Sequence, residues 1–137
     1  MHRESLEIKT GGRGFHEITG QAGEIVTRSG IADGLCNVFV RHTSASLVIT
    51  ENADPDVLVD LETVIAGLAP DGDPRYIHTA EGPDDMSAHV RSVLTRTDIT
   101  VPVARGALDL GTWQGLFLWE HRTRQHRRRI IVTVQDI

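Results

Sequence analysis

Apolar and polar residues alternate along SLEIKT and FHEIT, two short runs joined through the glycine-rich GGRG, which predicts two strands with a turn between them. GEIVTRSG reads as a short helix closed by Gly30. LCNVFVRH returns to a period of two, with Cys36, Val38, Val40 and His42 on one face and Leu35, Asn37, Phe39 and Arg41 on the other. SLVITEN is a second run rich in β-branched residues, separated from the first by the small polar turn HTSAS. At residue 54 the period changes. Asp54 suits an N-cap, Pro55 the first helical position and Asp56 the positive end of the dipole, and Leu58, Leu61, Ile65 and Leu68 recur at helical spacing. Pro70, Gly72 and Pro74 end that helix in PDGDPRY, and a second helix is expected from Asp84 and Asp85 with Met86, Val90, Val93 and Leu94 as its apolar stripe. DITVPV, ALDL, GLFLWEH and RRIIVTV follow as strands, the last two expected to pair as a hairpin across RTRQHR. Pro102 puts DITVPV at a sheet edge or a bulge. Strands outnumber helices and the helices fall mid-chain. The expected fold is therefore α+β, a β-rich single domain with a mainly antiparallel sheet or sandwich and two to three helices.

Composition narrows the function classes. A chain of 137 residues is one domain in size, and 39% apolar residues with only 4% aromatics imply an aliphatic core. A net charge of -5 argues against a nucleic-acid partner. No apolar run approaches the roughly 20 residues a membrane helix needs, and MHRESLEIKT has no signal-peptide core, so a cytoplasmic protein with no membrane partner is the expectation. The lone Cys36 excludes an intrachain disulfide and a thiolate-rich zinc site, and within LCNVFV it reads as a buried strand thiol. Lys9 is the only lysine among 14 basic residues, which disfavours Schiff-base chemistry. The arginine excess suits bidentate recognition of phosphate or carboxylate, or reflects composition alone.

Seven histidines in a small acidic chain are the first chemical signal. His42 ends a strand, His78 lies in a loop, and His89 follows Asp85 by four residues on the second helix, so the two share a side of it. HTAEGPDDMSAH gathers His78, Glu81, Asp84, Asp85 and His89 around a Gly-Pro turn, a group able to hold a divalent cation: magnesium by its oxygens, zinc by its imidazoles. Each also has a structural reading. A single histidine is more often a hydrogen-bonded core residue, Asp84 is a natural N-cap, and Asp85 favours a helix start; Glu81 has no such local role. HTSAS sets hydroxyls beside a histidine, but no G-x-S-x-G elbow is present. NADPD is explained by helix initiation with Asn52 left over, and GTWQG presents Trp113 either to a pocket or to the core. RTRQHRRR reads as a solvated hairpin tip, with Arg122 turned toward a cleft by strand alternation.

Taken together, HTSASLVITENADPDVLVDLE, HTAEGPDDMSAHVRSVL and LGTWQGLFLWEHR resemble, in wording and order, the YjbQ-like proteins, described as secondary thiamine-phosphate synthases or as uncharacterised. The resemblance runs from about residue 35 to the C-terminus, and the N-terminal strands agree in pattern. It implies an α+β fold assembled as a homotrimer with pockets near subunit boundaries. The family's polar positions fall on His42, Ser44, Asn52, His78, Glu81, Asp84, Asp85, His89, Trp113, Gln114, Glu120 and Arg122. Ser87 stands where the family commonly has proline, and Val48 and Thr50 vary the wording TINEN; neither change removes a candidate ligand.

The reaction that the resemblance implies joins an aminopyrimidine methyl diphosphate to a thiazole phosphate and releases diphosphate. Departure of the diphosphate is the hard part, and a divalent metal, arginine and an aromatic face each stabilise it. On this reading Glu81, Asp84, Asp85 and Arg122 carry the chemistry, the acids anchoring metal and Arg122 touching phosphate. Ser44, Asn52, Trp113, Gln114 and Glu120 bind substrate, and His42, His78 and His89 hold metal, magnesium or zinc. The expected partner is a small phosphorylated or anionic molecule. A standard eight-fold barrel needs roughly 200 residues or more, so synthase activity here is convergent or a side reaction. Two other functions compete: a metal-dependent hydrolase, and a non-catalytic trimer binding a metal or anion.

Overall fold

The computed structural model describes residues 1–137. Eight strands and three helices follow in the order β1 (His2–Lys9), β2 (Gly14–Glu17), α1 (Thr19–Ser29), β3 (Gly34–Val40), β4 (Ala45–Glu51), α2 (Pro55–Leu68), α3 (Asp85–Leu94), β5 (Asp98–Ala104), β6 (Ala107–Leu108), β7 (Gln114–Glu120) and β8 (Arg127–Asp136). A five-stranded sheet runs β1-β8-β3-β5-β6 and a three-stranded sheet runs β2-β7-β4, with every neighbouring pair antiparallel. The fold is the α+β architecture that the sequence pattern implies. Inward faces of both sheets close on α1 around Ile25, Val38, Leu47, Leu118 and Val132, and Cys36 is buried among them, its thiol pushed up to about 11 by burial.

Local chemistry explains the helix ends. Gly30 closes α1 at φ 70, a left-handed conformation that glycine adopts without a Cβ clash. At α2 the Asp54 carboxylate accepts from the Asp56 N–H with Pro55 in the first turn. Pro102 lies on β5 opposite Leu35, and its carbonyl accepts from the Asp109 N–H beside the two-residue β6, so its missing N–H faces the sheet edge.

Three expectations are corrected. β7 and β8 do not form a hairpin: β7 is the central strand of the small sheet and β8 lies between β1 and β3, so each already has both edges occupied. The expected arginine tip is instead partly strand, since Arg127, Arg128 and Arg129 open β8, with Arg128 buried and its neighbours exposed. The apolar stripe of α3 is also reversed. Its buried residues are Asp85, Ser87, Ala88 and Arg91, whereas Val93 is 84% exposed. Ion pairing decides that rotation: buried Arg91 reaches Glu62 at 2.7 Å and the Ala69 carbonyl, and Trp119 Nε1 donates to the same Glu62 at 2.8 Å.

Three crossings between the sheets, at 10–13, 41–44 and 121–126, meet at one corner. Thr10 N–H donates to the His126 carbonyl and His121 N–H to the Ser44 carbonyl. Beneath them the fully buried Glu120 accepts from Arg128 and from the Thr10 hydroxyl at 2.7 Å, while Arg128 also donates to the Ser44 hydroxyl and carbonyl. This corner sets the position of the loop that carries His42 and Thr43, and of Arg122 just after β7.

Candidate metal centre

Asp85 opens α3, and its helical spacing brings His89 one turn above it. His78 arrives from the loop between α2 and α3, which turns at Gly82 with φ 102 before Pro83. Asp85 Oδ2 lies 2.7 Å from His78 Nε2 and 3.2 Å from His89 Nε2. The three ligand atoms all fall within 4.8 Å of one another. The orientation of His89 is fixed from behind. Its Nδ1 lies 3.0 Å from the Thr43 carbonyl, which only accepts, so Nδ1 carries the hydrogen. In the neutral ring Nε2 then presents a lone pair to a carboxylate oxygen, an arrangement that requires a proton or a cation between them. A backbone carbonyl holding one ring nitrogen while the other points at a carboxylate is also how metal-binding histidines are commonly oriented.

Asp85 is held by its second oxygen, Oδ1, to Arg122 Nη1 at 2.7 Å. Burial alone pushes the Asp85 carboxyl up, but the His78 hydrogen bond, the adjacent His89 ring and the Arg122 charge outweigh it and hold the carboxyl low. Asp84 sits at the N-cap position but does not cap. Its Oδ2 accepts from Arg122 Nε at 3.0 Å, from Thr123 N–H at 2.9 Å and from the Thr123 hydroxyl at 3.1 Å. Burial pushes Asp84 up as well; the Thr123 N–H, Arg122 and the Thr123 hydroxyl overcome it and leave the carboxyl well below the usual range. Arg122 thus spans both aspartates and the Glu81 carbonyl, which positions Asp85 and leaves the guanidinium committed to protein groups.

The remaining expected site residues divide by position. His42 lines a cavity of about 360 Å³ together with His89, but stands outside the three-ligand group, and its Nε2 accepts from the Arg129 N–H at 2.8 Å. Burial and the nearby Arg128 charge lower its basicity. The Glu81 side chain is exposed, 4.0 Å from Arg122. Ser44 and Glu120 belong to the buried corner, where Arg128 occupies both. Asn52, Trp113 and Gln114 gather at the other end of β4 and β7: Asn52 N–H donates to the Trp113 carbonyl, and Gln114 Oε1 accepts from Gly111 N–H. The register Ala45↔Glu120 to Glu51↔Gln114 sets these ends six steps apart, about 20 Å along the strands. The chain therefore brings His78, Asp85 and His89 together with Arg122 and Asp84, and keeps Asn52, Trp113 and Gln114 apart from them.

Sequence reasoning passed over Thr43, whose carbonyl has no signature in residue type. It also passed over Arg128, for which a signal existed: inward alternation over Ile130, Val132 and Val134 places residue 128 on the core face.

The family model for UPF0047 protein YjbQ-like matches residues 4–137. This chain belongs to the YjbQ-like UPF0047 family. A UPF0047 protein of Synechocystis sp. is 55% identical over 134 residues, covering 98% of this chain and 91% of the relative. The UPF0047 protein YjbQ of Escherichia coli O157:H7 is 38% identical over 135 residues, covering 98% and 97%. A crystal structure of an uncharacterized conserved protein of the YjbQ/UPF0047 family from Clostridium acetobutylicum superposes with a TM-score of 0.89 at 32% identity, covering 96% of this chain and 99% of that one. Against the YjbQ-like wording, Ser87 in place of proline makes a specific contact here: its hydroxyl donates to Asp71, which pairs with Arg13 at 2.8 Å and ties α3 to the β1–β2 crossing.

Proposed function

We propose that this YjbQ-like chain is a metal-dependent enzyme acting on a small phosphorylated molecule, with His78, Asp85 and His89 as the ligands of one divalent ion. The facing of His89 Nε2 and His78 Nε2 on a single carboxylate oxygen, with His89 Nδ1 held by the Thr43 carbonyl, carries the reading. Three protein ligands with nitrogen and oxygen donors suit zinc or a similar ion with an open position, more than the all-oxygen cages magnesium favours. Such an ion supplies positive charge against a phosphate oxyanion as it develops. Arg122 keeps Asp85 ionised and fixes its angle, and Asp84 in turn fixes Arg122. The resemblance supplies the specific reaction, joining aminopyrimidine methyl diphosphate to thiazole phosphate with loss of diphosphate.

A homotrimer accompanies this reading. Val64 and Leu68 on α2 and Val93 and Leu94 on α3 stay exposed, and a groove of about 850 Å³ between β4 and β5 is lined by Leu47, Val48, Ile49, Leu94 and Ile99. Exposed apolar surface on this scale suits contact between subunits.

Metal analysis and turnover test the proposal together. Purified protein is expected to hold one zinc-class ion per chain, to lose it in His78→Ala and His89→Ala, to keep it in Glu81→Gln, and to have the mass of three chains in light scattering. Turnover of the two thiamine precursors is expected to stop on chelation. Intact metal binding in both histidine variants refutes the ligand set; turnover indifferent to chelator refutes the metal's role.

A further inference from the structure

His42 borders a second concavity on its other side, a pocket of about 280 Å³ on the outer face of the five-stranded sheet, lined by Glu7, Arg41, His42, Arg127 and Arg129. It contains no apolar residue. Strand alternation explains its chemistry: with Arg128 turned inward to Glu120, Arg127 and Arg129 project outward, and pairing sets Lys9 opposite Arg127 and Glu7 opposite Arg129. Arg41 follows β3, and its N–H donates to the Arg129 carbonyl. Arg13, Arg28, Arg75, Arg91, Arg122 and Arg128 each pair with a carboxylate within 4.0 Å; Arg41, Arg127, Arg129 and Lys9 pair with none, as do Arg3, Arg96, Arg105 and Arg124 outside this pocket. In a chain of net charge -5, Arg41, Arg127, Arg129 and Lys9 share one end of one sheet, and Lys9 directly opposite Arg127 is a like-charge pair that weakens the ladder. His42 adds a donor, because Nε2 is taken by the Arg129 N–H and the neutral ring carries its hydrogen on Nδ1.

We infer that Arg41, Arg127 and Arg129, with His42, form an anion subsite that takes a phosphate or diphosphate group of the substrate. The inference deepens the proposed function and rests on it, since His42 also lines the cavity that holds His89 and so links the two regions. It also relocates phosphate recognition from Arg122, which is committed to Asp84 and Asp85, to guanidiniums with free donors. Guanidinium donors grip phosphate oxygens in pairs, which suits this cluster to a multiply charged group over a single carboxylate.

Inorganic pyrophosphate is the probe, titrated calorimetrically into the full chain with EDTA present so that no metal contributes. Saturable binding is expected, weakening as salt rises. Arg41→Ala and Arg129→Ala are each expected to weaken it about tenfold, and the pair together about a hundredfold. These exposed side chains make no side-chain hydrogen bonds to protein, so both variants are expected to keep the wild-type melting temperature. Arg3→Ala, at the far end of β1, is expected to bind as wild type. Absence of saturable binding overturns the inference, as does equal weakening by Arg3→Ala, which indicates general charge alone. Binding that is absent in EDTA, appears when zinc replaces the chelator and disappears in His89→Ala places the anion on the ion, overturning the subsite while leaving the metal reading intact. Arginine-dependent binding in EDTA, together with no metal in protein purified without chelator, leaves the subsite standing and sinks the metal reading instead.

Discussion

Replacing Arg128 by methionine removes the charge that allows Glu120 to be buried ionised. Glu120 has no exposed surface, and its oxygens accept from Arg128 Nε at 2.8 Å, from Arg128 Nη2, from the Thr10 hydroxyl and from the Arg122 N–H. Burial raises the carboxyl's pKa, but Arg128 and these donors more than offset it, so the group is an anion in the fold. Loss of one partner of such a pair costs about 3–5 kcal/mol, because the remaining charge is left uncompensated. For a domain of this length that corresponds to a fall of roughly 10–20 °C in Tm. The Ser44 carbonyl and hydroxyl also lose their donor, which loosens the turn carrying His42 and Thr43. Removing both charges in Glu120→Leu/Arg128→Met is expected to recover most of the loss, since a packed apolar pair costs no ion desolvation. Urea unfolding followed by circular dichroism, with the m-value as a control on the unfolded state, measures both effects. A loss below about 1 kcal/mol in Arg128→Met, or a double variant no more stable than the single one, refutes the reasoning.

The buried His121 makes stability pH-dependent. Burial, then the Arg91 charge, lowers its pKa to about 3, and its Nε2 meets only the Ser46 hydroxyl at 2.8 Å. Between that value and the usual 6.5 the unfolded chain binds the extra proton, so stability falls as pH drops through this window, by about 1.4 kcal/mol per unit. His121→Gln is expected to flatten that part of the urea-stability profile from pH 6.5 to 5, and an unchanged slope counts against the neutral buried ring. Gly34→Ala is expected to cost about 3 kcal/mol or more, because a Cβ there stands 2.0 Å from the Gln135 carbonyl oxygen, a backbone atom of the paired β8. Wild-type thermal stability in that variant shows that the β3–β8 pairing is not as close as described.

Much of the local structure was legible because it depends on near neighbours in sequence. Asp54-Pro55-Asp56 specified the start of α2, and Gly30 the end of α1. The i, i+4 spacing of Asp85 and His89 places both on one side of α3. Alternation found β3, β4, β7 and β8 but not their partners, since a strand's pattern states which face is buried and not which edge it pairs with. That is why β7 and β8, adjacent in the chain, end in different sheets. The apolar stripe of α3 misled for a related reason: Arg91 with Glu62 and Asp85 with Arg122 are long-range pairs, and together they turn the polar face inward. Residue types and spacing alone settled the single-domain α+β class, the caps at Gly30 and Asp54, and the short list of histidines and acids, while Asp84, an N-cap by residue type, turns to Arg122 and Thr123 instead. Only the tertiary structure decided which of them meet. It gathered His78 with Asp85 and His89, committed Asp84 and Arg122 to each other, buried Glu120, and left Asn52 and Trp113 at the far end of their strands. Long-range convergence depends on sheet topology and on charges that must find partners once out of water, and neither is written in any local stretch of sequence.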